Sequence, residues 1–217
     1  AIATVSICGI IGILLYLVFQ DTNIMNFGSY LSLRLFGSMG NGLASTLLYI
    51  FISHILWFFG IHGTNTLEAV SRKLFESEII INQGMIAQGL SPTHIFSKTF
   101  LDIFVFIGGS GSTLCMILAL FIIARKKNNR RLAKLSLPAV LFNVNELVLF
   151  GFPIIFSADM IIPFILTPVV LSLVSSLVMY MGLVPVAAQS VDWTVPVLFS
   201  GYMATGSWKG SLLQFFN

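Results

Sequence analysis

Three polar side chains stand near the middle of an otherwise apolar stretch, residues 137–156. They are Asn143, Asn145 and Glu146. A carboxylate at membrane depth costs at least about 2.5 to 3.5 kcal/mol on insertion scales, and such residues usually face a cavity or a partner. No Lys or Arg lies within this stretch to form an ion pair with Glu146. If the stretch is in a membrane, a functional role for Glu146 is therefore favoured over a structural one.

These side chains belong to the types that bind sugars. Amides and carboxylates hydrogen-bond sugar hydroxyls, and aromatic rings cover the apolar faces of sugar rings. The chain offers such groups at six positions: His62, Asn65, Asn143, Asn145, Glu146 and Trp193. His62 follows an aromatic run. Taken alone, it is as typical of a membrane interface as of a sugar site, and the same holds for Trp193. Together they predict a sugar site, in which Glu146 accepts a proton from a sugar hydroxyl or orients it.

A glycine cluster with the sequence Gly-Gly-Ser-Gly-Ser occupies residues 108–112. Three glycines in four positions weaken a helix and permit close backbone approach, although membrane helices also use glycine simply to pack. We expect an unwound or tightly packed element here, and include Gly109 among the substrate-binding residues. The cluster lacks the Lys-Ser or Lys-Thr ending of a phosphate-binding loop, which excludes nucleotide binding of that kind.

The apolar stretch around Glu146 begins near Pro138 and ends near Pro153. Irregular backbone at membrane depth is tolerated only where it is buried in protein or lines water, and transporter sites are often built from interrupted helices. The stretch therefore predicts a re-entrant hairpin or broken helix that presents its polar side chains to an aqueous site.

Metal and redox chemistry have little support in the sequence. The three histidines are His54, His62 and His94, and the first two are eight residues apart, unlike the pair of a zinc helix. Cys8 and Cys115 each lie inside an apolar run without partner spacing. We predict no metal site and no cofactor.

The composition predicts the type of helices that hold these residues in place. Of the 217 residues, 57% are hydrophobic and only 9% are charged, against about 25% charged in soluble domains. Apolar stretches near the roughly 20 residues of a membrane span recur at 2–19, 43–61, 104–124 and 160–188. The expected fold is an all-α polytopic membrane protein, with transmembrane helices and re-entrant hairpins lining the site.

The cationic residues are concentrated in one short connection: Arg125, Lys126, Lys127, Arg130, Arg131 and Lys134. An excess of Lys and Arg in a short loop marks the cytoplasmic side. Contact with anionic lipid or with a soluble partner is the alternative interpretation, and nucleic acid is not expected as a partner. The first apolar stretch lacks a basic leader and is interpreted as a retained span, in a chain that begins inside a longer protein.

Several short motifs occur in an order that resembles a known family. They are WFFGIHG at 57–63, GGSGS at 108–112, FNVNE at 142–146, FGFPI at 150–154, IPF at 162–164, GLVP at 182–185 and WTVP at 193–196. In these motifs the chain resembles the membrane component, enzyme IIC, of lactose/cellobiose-type phosphotransferase-system permeases. Where the family usually has proline after the motif glutamate, this chain has Leu147.

The resemblance implies a specific function and a set of partners. Residues 1–217 would be the C-terminal, substrate-binding portion of a single EIIC domain, with the N-terminal half absent. The protein would be a homodimer in the bacterial inner membrane, in contact with lipid. It would take up a disaccharide such as cellobiose, lactose or diacetylchitobiose, which the IIB protein, supplied by IIA, phosphorylates. The phosphoryl donor residue would be on IIB.

The resemblance also implies residue roles. His62 and Glu146 would bind the hydroxyl that receives the phosphoryl group and would be the catalytic residues. Asn143, Asn145 and Trp193, together with Gly109, would complete the substrate pocket. Two other functions remain open from the residues: a gradient-driven sugar transporter using Glu146 or Asp102 as an ion site, and a membrane interaction subunit without transport.

Overall fold

The computed structural model describes residues 2–19, 30, 33–152 and 154–217. Within these ranges the regular structure is helical, which confirms the predicted all-α class. The α-helices, in chain order, are α1 (Ile2–Phe19), α2 (Leu43–Phe58), α3 (Gly63–Thr66), α4 (Glu68–Ser71), α5 (Ser77–Ala87), α6 (Lys98–Phe100), α7 (Thr113–Ile123), α8 (Lys127–Leu141), α9 (Glu146–Gly151), α10 (Ala158–Tyr180), α11 (Phe199–Thr205) and α12 (Trp208–Phe216). Two π-helical turns are Arg72–Glu76 and Leu101–Val105.

Among the described helices, α10 is the one long and apolar enough to cross a membrane, by length and composition. Apolar helices of 10–17 residues occur at Val5–Leu14, Leu43–Phe58 and Thr113–Ile123. The apolar run 160–188 of the sequence is longer than α10, since the helix ends at Tyr180 and Gly182 follows with φ +71°. That left-handed conformation favours glycine and ends a helix.

The mostly polar sequence of residues 66–98 predicts a loop with one amphipathic helix, and the structure contains a helix there. It runs through α4, the π turn Arg72–Glu76 and α5, and ends before Gly89, which has φ +74°. The connection at residues 20–42, rich in Asn, Ser and Gly with apolar residues interspersed, is typical of an interfacial segment. Its residues 20–29 and 31–32 lie outside the described residues. Pro153 lies outside them as well.

Two hydrophobic clusters form the interior. The first joins α2 to the two π turns, with the rings of Tyr49 and Phe75 edge to face at 5.2 Å and Phe104 fully buried nearby. The second joins α7, α8, α9 and α10 around residues such as Val140 and Phe164. These buried residues come from helices that are far apart in the sequence. Because protein interiors are closely packed, their contacts also hold the ends of the loops that connect those helices.

The helix carrying the polar triplet is broken, as predicted. α8 ends at Leu141 and α9 starts at Glu146, and Asn143 between them has φ +61°. Asn is one of the few residues with a side chain that enter this left-handed region readily. The glycine cluster is non-helical too, which confirms the expected unwound element between the π turn Leu101–Val105 and α7.

Candidate functional site

A cavity of about 450 Å³ opens between the two hydrophobic clusters. It is lined by Tyr49, Trp57, His62, Thr64, Asn65, Glu68, Ser71, Glu76, Lys98, Asp102, Phe106, Gly109, Ser110, Asn143, Asn145, Glu146 and Trp193. They include every residue that the sequence analysis assigned to the site: His62, Gly109, Asn143, Asn145, Glu146 and Trp193. They also include Asn65, whose amide is of a sugar-binding type. The structure therefore brings together groups that are up to 131 positions apart in the sequence, from His62 to Trp193.

His62 precedes α3 and caps it. Its Nδ1 accepts the backbone N–H of Asn65 at 3.3 Å and lies 3.2 Å from the Thr64 hydroxyl. An imidazole nitrogen that accepts from an N–H carries no proton, so the neutral ring has its proton on Nε2. No described residue hydrogen-bonds that Nε2, which makes it a donor available to a molecule in the cavity.

Glu146 is the first residue of α9. Its side chain is exposed to the cavity, and within the described part of the chain it forms neither a hydrogen bond nor an ion pair. It is close enough to His62 for a favourable electrostatic interaction. A carboxylate acceptor and an imidazole donor thus face the same space, and both are able to engage one hydroxyl group.

Trp57 differs from its expected position. At a membrane boundary the aromatic run 57–59 is expected at headgroup level. In the structure Trp57 is 4% exposed, and its ring packs against His62 with centroids 4.3 Å apart. Phe59, two residues later, is 55% exposed. Trp57 lies in the last turn of α2 and Phe59 directly follows the helix, and of the two only Phe59 lies on the surface.

Asn143 lies in the break between α8 and α9 and uses both ends of its amide to bind backbone. Its Oδ1 accepts the N–H of Gly108 at 2.7 Å, and its Nδ2 donates to the carbonyl of Trp193 at 2.5 Å. The side chain therefore joins the glycine cluster to the loop after α10. One further lone pair on Oδ1 and one further N–H on Nδ2 remain for a substrate.

Asn145 and Gly109 are in direct contact. Asn145 Nδ2 donates to the carbonyl of Ser110 at 2.7 Å. A Cβ on Gly109, whose φ is +93°, would lie 2.6 Å from Asn145 Cγ and 2.8 Å from the Asn143 carbonyl oxygen. Glycine is thus required at 109 by the backbone conformation and by the close approach of Asn145. The sequence shows only that Gly109 lies in a glycine cluster and does not show this contact.

Trp193 lies in the loop between α10 and α11, about half exposed, with its ring at the cavity. The neighbouring Asp192 accepts hydrogen bonds from the hydroxyl and the N–H of Thr194. These bonds hold the pKa of the Asp192 carboxyl below its usual value. The loop is thereby ordered on both sides of Trp193, by Asp192 and by Asn143.

The cavity has a second group of charged side chains that sequence reasoning did not assign to the site. Lys98 pairs with Asp102, and Glu76 is an electrostatic neighbour of Asp102. Tyr49 and Ser71 line the same region. The four-residue spacing of Lys98 and Asp102 on a helix is the signal that would have revealed the pair. Because Lys98 neutralises Asp102, this carboxylate is a poor candidate for an isolated ion-binding site.

A metal site has no basis in the described residues, where His, Cys, Asp and Glu do not form any group of three or more suited to a metal ion. The chemistry that the cavity offers is hydrogen bonding by a carboxylate, an imidazole, amides and hydroxyls beside aromatic rings. That combination matches polyhydroxylated ligands.

Comparison with known proteins agrees with this chemistry. A family model described as "Phosphotransferase system, EIIC" matches residues 1–168. The chain belongs to this EIIC family. Among its relatives, the oligo-beta-mannoside-specific EIIC component of Bacillus subtilis (strain 168) is 37% identical over 181 residues, which are 82% of this chain and 41% of the relative. The cellobiose-specific EIIC component of Lactococcus lactis subsp. lactis (strain IL1403) is 26% identical, over 100% of this chain and 49% of the relative.

A solved EIIC structure is similar as well. The crystal structure of the transporter ChbC, the IIC component of the N,N'-diacetylchitobiose-specific phosphotransferase system, superposes with a TM-score of 0.79 and 32% identity. The match covers 94% of this chain and 48% of ChbC. This chain thus spans about half the length of the EIIC relatives that it matches. Family membership does not support the gradient-driven transporter or the interaction subunit.

Proposed function

We propose that this chain is the C-terminal, substrate-binding portion of an EIIC permease that translocates a disaccharide, which the IIB protein phosphorylates. The observation that carries the proposal is the meeting of His62, Glu146 and Trp193 in one cavity of about 450 Å³. Small-molecule sites typically have about 300–1,000 Å³. Family membership supplies the coupling to phosphorylation.

The arrangement of His62 and Glu146 supports a role for both in phosphoryl transfer. The Nε2–H of His62 donates to the oxygen of the sugar hydroxyl, and the Glu146 carboxylate accepts its proton. The hydroxyl oxygen then forms a bond to phosphorus as the bond between phosphorus and the donor atom on IIB breaks. The proton ends on Glu146, and the electron pair of the broken bond stays on the IIB residue.

The substrate class follows from the relatives and the lining. The matched relatives are named for oligo-beta-mannoside, lichenan, cellobiose and lactose. We infer that this protein takes a disaccharide of the cellobiose, lactose or diacetylchitobiose type. Trp193 would stack on one sugar ring, and the polar group around Lys98 and Asp102 lies where a second sugar unit would find hydroxyl partners.

The membrane setting is part of the same proposal. Large apolar side chains are strongly exposed on several helices, among them Ile122 (78%) and Leu177 (58%). Soluble monomers rarely expose extended apolar surface, whereas lipid-facing helices do so along their length. We place the protein in the bacterial inner membrane as a multi-pass homodimer, with the break around Asn143 as a re-entrant element and the basic start of α8 in the cytoplasm.

Uptake of radiolabelled cellobiose, lactose and diacetylchitobiose tests the proposal, in cells producing the full-length protein, with and without the soluble phosphotransferase proteins. We expect the sugar to appear inside as sugar phosphate, only when IIB and IIA are present. Glu146→Gln should abolish this without lowering the amount of protein in the membrane, since Glu146 has no partner in the described structure. Uptake as free sugar without those proteins contradicts the proposal.

A further inference from the structure

Residues 108–112, called here the glycine loop, form a rigid backbone turn at the cavity wall. Gly108, Gly109, Gly111 and Ser112 all have positive φ, between +54° and +93°. Such a run of left-handed residues does not hold itself in place by regular helical hydrogen bonds. Local bonds hold part of it: the Gly109 N–H donates to the Phe106 carbonyl at 2.8 Å, and the Ser112 hydroxyl donates to the Val105 carbonyl at 2.8 Å. Side chains from elsewhere in the chain bind other groups of the loop.

Three side chains from two separate parts of the chain hold the glycine loop. Asn143 Oδ1 accepts from the N–H of Gly108 at 2.7 Å, and Asn145 Nδ2 donates to the carbonyl of Ser110 at 2.7 Å. From α2, His54 Nε2 accepts the N–H of Gly111 at 2.8 Å. Backbone groups on both sides of Ser110, and its own carbonyl, are thus fixed by side chains.

The surroundings of His54 make its Nε2 a hydrogen-bond acceptor for Gly111. It is 0% exposed, and its Nδ1 lies 2.6 Å from the carbonyl oxygen of Ile50, one turn earlier in α2. A carbonyl can only accept, so Nδ1 carries the proton and Nε2 presents its lone pair to Gly111. The rings of Phe106 and Phe164 pack on the imidazole, with centroids 5.5 and 5.0 Å away, and keep its orientation.

Ser110 is the member of the glycine loop whose own donors remain free. Neither its N–H nor its hydroxyl hydrogen-bonds any described residue, although Ser110 lines the cavity together with Gly109 and Glu146. Two unused donors, in a loop residue that lines a cavity containing a carboxylate, indicate a place for ligand oxygens.

We propose that Ser110 binds the sugar through its backbone N–H and hydroxyl, and that His54 is the residue that positions it. This deepens the proposed function and rests on it. A loop held in place before binding loses little conformational freedom when the sugar arrives, so its hydrogen bonds contribute fully to affinity. His54 does not touch the sugar; it acts through Gly111 on the orientation of Ser110.

Binding measurements on the purified full-length protein test this, using the disaccharide that the uptake assay identifies. Ser110→Ala removes the hydroxyl and keeps the N–H, and the loss of one such bond weakens binding by about tenfold. His54→Leu removes the acceptor for Gly111, and we expect a loss at least as large. In His54→Gln an amide oxygen can replace Nε2, so this variant should recover most of the affinity. Ser176→Ala, which affects a local bond in α10 away from the cavity, is the matched control.

The double variant His54→Leu/Ser110→Ala separates positioning from a general structural role. If His54 acts through Ser110, the double variant binds no more than about twofold more weakly than His54→Leu alone, because coupled residues are not additive. Additive losses, or Ser110→Ala within twofold of the unchanged protein, overturn the inference. Glu146→Gln is measured alongside: if it abolishes phosphorylation-coupled uptake while the Ser110 and His54 variants bind normally, only this inference fails.

Discussion

The side-chain amide of Asn143 donates to the carbonyl oxygen of Trp193 at 2.5 Å, which ties the break between α8 and α9 to a loop fifty residues later in the chain. The opposite end of the same amide accepts from Gly108. One side chain thus connects three irregular segments, and each of them contributes a residue to the cavity.

Asn143→Gly tests that connection, since glycine keeps the left-handed backbone at φ +61° and removes only the amide. We expect a loss of about 1–3 kcal/mol in the free energy of unfolding, because buried groups of Gly108 and Trp193 lose their partners. Thermal unfolding in detergent measures it. Asn143→Asp is the companion variant: it can still accept from Gly108 but brings a carboxylate oxygen against the Trp193 carbonyl. An unchanged midpoint for both variants would show that the amide is dispensable.

Gly109→Ala should damage the site for a different reason. The added methyl would lie 2.6 Å from Asn145 Cγ and 2.8 Å from the Asn143 carbonyl, at a φ of +93°. We expect the glycine loop to shift and sugar affinity to fall at least tenfold. Gly84→Ala is the matched control, because Gly84 lies inside α5 with nothing within 4 Å of the new methyl. There alanine should stabilise the helix by about 0.5–1 kcal/mol. Equal sugar affinity in both variants would contradict the close contact at Gly109.

The site could be predicted from sequence where a residue type was out of place. Glu146 and its neighbouring asparagines stand out because polar groups in an apolar stretch need a reason. The same argument predicts a re-entrant hairpin or broken helix there, and the structure places the break at Asn143. The glycine cluster was expected to be irregular because glycine weakens helices. Each of these features is local, so a short piece of sequence was enough to reveal it.

Features that depend on tertiary packing were not visible in the sequence. His54 and Ser110 are ordinary residues in their own segments, and only the approach of α2 to the glycine loop brings His54 into a hydrogen bond with Gly111, next to Ser110. The aromatic run at 57–59 does not show in the sequence that Trp57 is the ring that turns inward. The apolar run 160–188 likewise does not show that its helix stops at Tyr180.

The pair of Lys98 and Asp102 predicts non-additive effects of mutation. Removing Lys98 alone (Lys98→Met) leaves a largely buried carboxylate unpaired, since the Asp102 side chain is 14% exposed. We expect roughly 1–3 kcal/mol of destabilisation, less than for a fully buried pair because Lys98 is partly in water. The double variant Lys98→Met/Asp102→Asn should recover at least half of that loss. Thermal unfolding of the two single variants and the double variant gives the coupling, and additive losses would mean that the pair contributes nothing.

Leu147 is the position where the resemblance leads one to expect proline, and the structure predicts that proline is tolerated there. Leu147 is the second residue of α9 and 52% exposed, and its N–H has no acceptor among the described residues. Proline in the first turn of a helix removes an N–H that is unpaired anyway. Leu147→Pro should therefore change the free energy of unfolding by less than about 1 kcal/mol.

Val148→Pro, one residue further, is the sharp comparison. The Val148 N–H donates to the Asn145 carbonyl at 2.9 Å, and its side chain is fully buried. Proline there removes that bond and places its ring in a packed interior, which costs about 3 kcal/mol or more. Thermal midpoints and sugar affinity of the two variants distinguish the positions. If Leu147→Pro is as damaging as Val148→Pro, then α9 begins earlier than Glu146 and the Leu147 N–H does have a partner.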